Sequence, residues 1–566
     1  MTSPRLDTPA ACSRLPNRLV ALGVLCVALT GCGDSSNDDG GMVPEPEPPP
    51  ENTPSSIELL DAQPADGVTQ ADPGIADVTL SHFGYTDFAI DVSGDCADGS
   101  TLVRSTEDLS VDFDALFEHS QVCDGLADNG SYQSLVRATR DDGDTFEVRL
   151  VFATAIASAP ALQVQDSVTT PRESVADLIQ TFLDESLIDD LNVPDSVAAV
   201  VQSLVQAVAE SAYGELLDAD PLFGVTAQRV TYASRRPDGS ASSQLTGLVA
   251  YPDTTAADFQ PRDSLIVLSH STGVTPSDLD VTDAWYLVAT LFASRGYLVI
   301  APDNWGRGGT SGEPETFLMA RQTAATSLDL VRAVLGDPAY DAARGPAVPS
   351  ATIVGYSQGG HTAVALWQAM AAQAPDIAVS GVYAGAGPYN LYATARGVVE
   401  HANGSCNDGV YCRYVTDETT VPFLAERVLP GYIAYAADGL VLDNVLDGEM
   451  LNEGFVAGFL RNEPAFDDLK GLLQQSSFTN VAAGLDLLTG AGTRFSLFHS
   501  AFDRLVPVAN TEELVPVIEP YFEVDFRTDA CNSDAYAAIF NATDYVGISH
   551  ALCGLEMLND VFGELR

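Results

Sequence analysis

From Phe223 onward the hydrophobic and polar positions fall into two alternating rhythms. Short runs that are apolar almost throughout, SLIVLSH (264–270), GYLVIAPD (296–303), SATIVGYS (350–357), IAVSGVYAGAG (377–387) and TRFSLFHS (493–500), have strand length. Between them lie longer segments such as AWYLVATLFASRG (284–296) and ARQTAATSLDLVRAVLG (320–336), which read as helices. Strands apolar on both faces and separated by helices predict a parallel sheet covered on both sides, so the fold class of residues 224–566 is α/β. The rhythm lapses over about 388–488, an insertion holding NGSCNDGVYCRY, FLAERVLPGYIAYAADGLVL and LNEGFVAGFLRNEPAFDDL. Upstream, residues 55–165 carry alternating runs such as ADVTLSHFGYTDFAIDVSG and TFEVRLVFATA between Gly and Asp turns, which predicts a small β-rich domain. Residues 166–223 place apolar positions three and four apart and predict a helical connector, with Asp195 and Ser196 capping its second helix.

Composition adds where such a chain works. The 566 residues carry 79 acidic and 26 basic side chains, a formal charge of -53, and Lys470 is the single lysine. A phosphate backbone needs cationic surface, so nucleic acid is excluded as a partner. Arg14 and Arg18 precede an apolar run from Leu19 to Leu29 that is too short to span a bilayer, the pattern of a signal peptide over 1–31. The run ends in LTGC, which resembles the bacterial lipobox. That resemblance implies lipidation of Cys32, with Gly33 directing the protein to the outer membrane or cell surface. Residues 32–54, rich in Pro, Glu, Asp and Gly, then read as an extended tether between a lipid anchor and the body. Six cysteines follow, and in an exported chain proximity favours Cys96 with Cys123, Cys406 with Cys412, and Cys531 with Cys553, among about fifteen possible pairings. No Cys-x-x-Cys spacing appears, and neither His82 nor His119 has a second histidine at a metal spacing, so no metal or other cofactor is expected.

The candidate chemistry centres on VGYSQGGHTAV (354–364). A Gly-x-Ser-x-Gly stretch between a buried strand and an apolar helix lifts the serine hydroxyl clear of the sheet, which makes Ser357 a candidate nucleophile. The backbone N–H of Gln358, at the helix start, faces the place where negative charge would develop. A serine hydroxyl needs a base to take its proton and an acid to hold that base. Asp503 follows the strand RFSLF by five residues, with Glu512 or Asp544 as substitutes, and His550 lies in a Gly- and Ser-containing stretch near the C-terminus. Of the other histidines near these motifs, His361 sits on the helix and points away, and His499 begins the acid loop. The loop SHSTGV (269–274) offers a second oxyanion donor, the N–H of Thr272 or Ser271. PDNWGRGGTSGEP (302–314) lacks the Gly-Lys-Ser/Thr ending of a phosphate loop and reads as a loop lining the site.

Taken in order, YASRRPDGSASSQLTGLVAYP, VLSHSTGV, FASRGYLVIAPDNWGRG, LDLVRAV and VGYSQGGHTA resemble the secretory lipase family of α/β-hydrolases over about 224–554. The resemblance implies an α/β-hydrolase fold, a triad of Ser357, Asp503 and His550, an oxyanion hole from Thr272 and Gln358, and a role for the insertion at 388–488 as a cap shaping an acyl pocket. Two departures stand out: the family's usual His-Gly of the oxyanion loop is His270-Ser271 here, and the His-Gly that commonly opens the acid loop is His499-Ser500. The implied activity is hydrolysis of neutral, apolar carboxylic esters through an acyl-enzyme. A peptidase of the prolyl oligopeptidase type is the nearest rival, although the β-rich part, at about 100 residues, is too short for a propeller. A surface-binding lipoprotein with a vestigial hydrolase body is the non-enzymatic one.

Overall fold

In the computed structural model, seven strand segments between 58 and 153, then residues 162–181 and 221–565, are described, the last range apart from gaps at 345–349, 375–376, 407–408, 418, 436–438, 449, 480–491 and 529–546. The chain divides into residues 1–53, all outside the described residues, and 54–566. The signal sequence, Cys32, the tether, Asp195 and Ser196 therefore lie outside what is described. Two small antiparallel sheets come first. One joins β1 (Glu58–Gln63), β2 (Asp77–Phe83) and β5 (Leu116–Ser120). The other orders β4 (Thr101–Thr106), β3 (Asp87–Asp95), β6 (Ser131–Thr139) and β7 (Thr145–Ala153). His82 lies on β2 and His119 on β5.

A nine-stranded sheet follows, ordered β18-β17-β14-β13-β11-β12-β10-β9-β8. Its parallel strands are β11 (Ser264–Ser269), β12 (Val299–Pro302), β13 (Ser350–Tyr356), β14 (Ala378–Gly385), β17 (Arg494–Phe498) and β18 (Glu523–Arg527). An antiparallel edge of β8 (Gln163–Thr170), β9 (Val225–Arg235) and β10 (Ala241–Pro252) completes it. β8 crosses the boundary expected at 165, and the helix after it begins only at Arg172. Its sequence QVQDSVTT is mostly polar and exposed, because an edge strand is held by its backbone ladder to β9 rather than by an apolar face. The central strands are buried on both sides, and the sheet separates two apolar cores. One is topped by the helices Ala284–Ser294 and Ile548–Glu564, the other by Ala320–Gly336, Gln358–Gln373 and Ala509–Ile518. This is the α/β-hydrolase fold. Between β14 and β17 the chain leaves the sheet for helices including Leu391–Ala402, Leu429–Tyr435, Glu453–Leu460 and Asp467–Gln475, with a minimal pair β15 (Leu446–Asp447) and β16 (Met450–Leu451). Leu391, Val398, Leu424, Tyr432, Phe455 and Leu469 form a third core there.

The turn from β13 into the Gln358–Gln373 helix is where sequence most tightly dictates backbone. Ser357 takes φ 57° and ψ -119°, a region that strains any residue with a Cβ. Its neighbours must be glycine for a steric reason. A Cβ on Gly355 would lie 2.1 Å from the carbonyl oxygen of Gly359, and one on Gly359 would lie 1.9 Å from that of Ser269 at the end of β11. The helix start is thereby packed onto the backbone of the neighbouring strand, and Ser357 N–H donates to Gly385 of β14 at 2.8 Å. One turn on, His361 is wholly buried, its Nε2 2.7 Å from the Ser476 carbonyl and its ring 4.8 Å from that of Phe478. Burial pushes its pKa down to about 4, against a smaller upward pull from the Ser476 bond.

Two outcomes follow from this turn. Gly359→Ala should destabilise the fold by about 3 kcal/mol or more in chemical denaturation, since backbone must move to admit the methyl. Gly336→Ala, where a Cβ meets nothing within 4 Å, should be neutral or slightly stabilising; equal losses at the two positions would contradict the packing argument. For His361 the folded pKa lies below the unfolded one, so between pH 6.5 and about 4 the unfolded chain binds a proton that the folded chain does not. Stability from this group is then full above pH 6.5 and falls on acidification by up to about 3 kcal/mol. The stability difference between the parent and His361→Gln should shrink as pH is lowered from 7 to 4; a difference independent of pH would refute it.

Candidate active site

Ser357, Asp503 and His550 come from three elements and meet at the C-terminal ends of the parallel strands, where sites on open α/β sheets form. Ser357 follows β13, and Asp503 sits in the turn after β17, two strands away in the sheet. His550 is not in a loop, as its Gly and Ser neighbours suggest. It lies in the first turn of the helix Ile548–Glu564, whose apolar residues Leu552, Met557, Val561 and Phe562 anchor it against the sheet. His550 Nε2 is 2.8 Å from Ser357 Oγ, and its Nδ1 is 2.6 Å from Asp503 Oδ2. Asp503 as acceptor fixes the proton on Nδ1 and leaves Nε2 as an acceptor facing Ser357 Oγ. The substitutes for the acid are elsewhere: Glu512 is exposed on the Ala509–Ile518 helix, and Asp544 is outside the described residues.

Asp503 and His550 are each held by groups to which sequence reading gives no such role. Asp503 is buried, and its Oδ1 accepts the N–H groups of Leu505 and Val506, both at 2.9 Å. Burial alone would raise its pKa, but His550 and then His499 outweigh that and hold the carboxyl well below the usual carboxylate range. His499 is fully buried, with Nδ1 2.7 Å from Thr511 Oγ1 and Nε2 3.0 Å from the Val506 carbonyl. The carbonyl requires a proton on Nε2, which also lies 3.4 Å from Asp503 Oδ2, so His499 braces the acid and is not a rival base. Ser500, where glycine is usual, accepts the Phe502 N–H on its hydroxyl and the Asp503 N–H on its carbonyl. Ser549 Oγ donates to the Phe502 carbonyl at 2.8 Å, and Tyr356 OH donates to the His550 carbonyl, tying the base to both the acid loop and the strand that ends in the serine. Tyr356 and Ser549 each neighbour a candidate residue in sequence, which is the one signal that would have drawn attention to them.

The two residues expected to supply oxyanion donors, Gln358 and Thr272, lie on either side of the serine turn. Gln358 opens its helix, so its N–H is among the first four without an intrahelical partner. In the facing loop, the N–H of Thr272 has no hydrogen-bond partner among the described residues. Ser271, the departure from His-Gly, uses its hydroxyl to donate to the Tyr356 carbonyl at 3.1 Å, pinning this loop beside the serine. His270 is buried, with Nδ1 2.9 Å from the Ser271 carbonyl. A narrow apolar cavity of about 60 Å³ lies between the inserted helices and the acid loop, lined by Leu391, Val398, Phe423, Leu424 and Val506 among others. A polar cavity of about 430 Å³ is lined by Thr275, Arg307, Glu315 and Arg427 among others. Of the expected disulfides, Cys406–Cys412 is formed, with Cα atoms 5.8 Å apart. Cys553 is bonded to a partner outside the described residues, where Cys96, Cys123 and Cys531 also lie. No helix among the described residues is long and apolar enough to cross a membrane, and no cluster of three metal-ligating side chains occurs among them.

A family model described as secretory lipase matches residues 277–416, a stretch that contains the Gly-x-Ser-x-Gly turn. No curated protein matches the chain. Among solved structures, a hydrolase of Legionella pneumophila aligns at 18% identity over 71% of this chain and 98% of its own, with a TM-score of 0.44. The rice cell wall degrading esterase LipA from Xanthomonas oryzae aligns at 16% identity over 72% of this chain and 99% of its own, with a TM-score of 0.42. Candida antarctica lipase A aligns at 13% identity over 64% and 75%, with a TM-score of 0.37. Over residues 277–416 the chain is thus similar to the secretory lipases, and its sheet has the arrangement of an α/β-hydrolase fold.

Proposed function

We propose that Ser357, His550 and Asp503 act as a catalytic triad that hydrolyses neutral esters with an apolar acyl group. The observation that carries the reading is the unbroken run of contacts from Ser357 Oγ to His550 to Asp503, at 2.8 Å and 2.6 Å, beginning on a serine whose strained backbone is over-determined by its packing. Ser357 Oγ attacks the ester carbonyl while His550 Nε2 takes its proton. The oxyanion that forms accepts hydrogen bonds from the N–H groups of Gln358 and Thr272. Collapse expels the alcohol, which leaves with the proton from His550, and the acyl group remains on Ser357. Water then attacks the acyl-enzyme, giving its proton to His550, and the carboxylic acid departs as Ser357 regains its hydrogen. The negative Asp503 stabilises His550 while it is charged.

The surroundings support this substrate class. The small apolar cavity beside the acid loop suits a short acyl chain, and a net charge of -53 repels anionic substrates. Residues 388–488 act as a cap and supply one wall of this cavity. The lipobox-like LTGC and the acidic tether behind it support export and a lipid anchor at the outer membrane or cell surface, with the body held off the bilayer.

Ser357→Ala should reduce turnover of p-nitrophenyl butyrate by at least about 10⁴-fold and abolish labelling by a fluorophosphonate, while retaining the parent's thermal midpoint. Undiminished ester turnover in that variant would end the triad reading, and faster cleavage of a peptide amide than of any ester would favour a peptidase. Val398→Phe, which fills the apolar cavity, should lower kcat/KM for octanoate relative to acetate by about ten-fold or more. An unchanged ratio would place the acyl group elsewhere.

A further inference from the structure

Within the loop 302–314 and just beyond it lies an ion pair that the triad does not use. Arg307 Nε donates to Glu315 Oε2 at 2.8 Å, and each side chain is 16% exposed. The two partners also reach in opposite directions. Arg307 Nη1 donates to the carbonyl of Gly273 at 3.1 Å, one residue beyond Thr272. Glu315 Oε1 accepts from Gln358 Nε2 at 2.9 Å, and Gln358 is 1% exposed. One chain of charge-assisted hydrogen bonds thus runs from the loop that carries Thr272 to the residue that follows Ser357.

We propose that the Arg307–Glu315 pair is a positioning device for the oxyanion hole, fixing its two donors relative to each other; this rests on the triad reading above. The backbone around Glu315 is arranged for such a role. Gly306 has φ 90°, and a Cβ there would lie 2.3 Å from Glu315 Cα. On the other side, a Cβ on Gly431 of the Leu429–Tyr435 helix would lie 2.1 Å from the Glu315 carbonyl oxygen. Thr316 N–H further donates to the Trp305 carbonyl at 3.0 Å. Glu315 is therefore clamped at the backbone, and its two carboxylate oxygens are divided between Arg307 and Gln358. Gly273, at φ 87° in an exposed turn, has no steric neighbour of its own, so its position depends on what its carbonyl binds.

With each side chain only 16% exposed, loss of Glu315 leaves Arg307 and the Gln358 amide short of a partner and costs stability as well, so positioning is read from kcat in variants that remain folded. An oxyanion donor displaced by about 1 Å loses on the order of 10²-fold in rate, because its hydrogen bond matters only when charge develops on the substrate oxygen. Loss of the pair should therefore appear in kcat and leave ground-state binding alone.

The experiment uses the full chain and four variants, Glu315→Ala, Glu315→Gln, Gln358→Ala and the double variant Glu315→Ala with Gln358→Ala. Fluorophosphonate labelling of the parent at Ser357 is scored first. If Ser357 is not labelled, the triad reading falls and takes this proposal with it; if it is labelled, the variants test positioning alone. Glu315→Ala should lower kcat by about 10- to 100-fold with KM within about three-fold of the parent. Affinity for a trifluoromethyl ketone, whose adduct places an oxyanion in the hole, should fall by the same factor. The double variant should lose no more than the worse single one, since both cut the same link. Glu315→Gln, close in shape and so a safeguard if the alanine variant does not fold, should lose kcat in the same direction without a change in KM. Unchanged kcat in a folded Glu315 variant, a raised KM at constant kcat, ketone affinity that does not follow kcat, or full additivity with Gln358→Ala would each overturn the proposal.

Discussion

The close approach of Gly359 to the end of β11 is the constraint on which the rest of the site depends. With 1.9 Å between a notional Cβ and the Ser269 carbonyl oxygen, only glycine lets the Gln358–Gln373 helix begin where it does. That start fixes three things at once. It forces Ser357 into its left-handed turn, it leaves the Gln358 N–H free at a helix N-terminus, and it brings the loop after β11 alongside, where Ser271 ties it to Tyr356. The strained turn at Ser357, the Gln358 N–H at the helix start and the position of the facing loop are thus consequences of one packing contact between two backbones.

His550 and Asp503 are then fastened to that strand by polar contacts of long sequence separation. Tyr356, the last residue of β13, reaches the backbone of His550, and Ser549 reaches the acid loop. Asp503 sits without solvent exposure, yet two histidines and two backbone N–H groups face its carboxylate. A buried charge is tolerated when it is so surrounded, and the same surroundings fix which nitrogen of His550 carries a proton. The inserted helices between β14 and β17 contribute a separate apolar core and one wall of the small cavity.

Much of this was legible in the sequence because it depends on local pattern. The central strands are apolar throughout, since both faces are covered, and the Gly-x-Ser-x-Gly turn announces its own steric requirement. Ser357, Asp503 and His550 could be named in chain order before any coordinates. What escaped has a common cause in partners distant along the chain. β8 reads as polar because an exposed edge strand needs only the ladder that β9 supplies. His550 resembles a loop residue because Gly547 and Ser549 surround it, whereas the apolar residues that make its helix follow later. His499 reads only as the start of the acid loop until its three neighbours are seen. Arg307, Glu315, Gly273 and Gln358 carry no motif that links them, and only the fold brings them into one chain of hydrogen bonds.

The central claim is that Ser357 is acylated and deacylated with His550 as its base. The most direct measurement is a rapid-mixing experiment with p-nitrophenyl butyrate, quenched in acid and followed by mass spectrometry of the peptide containing residues 354–364. A burst of nitrophenol approaching one equivalent, with a butyryl group on Ser357, is the result predicted. Steady turnover with no butyryl group on that peptide, or an adduct on another residue, would contradict it.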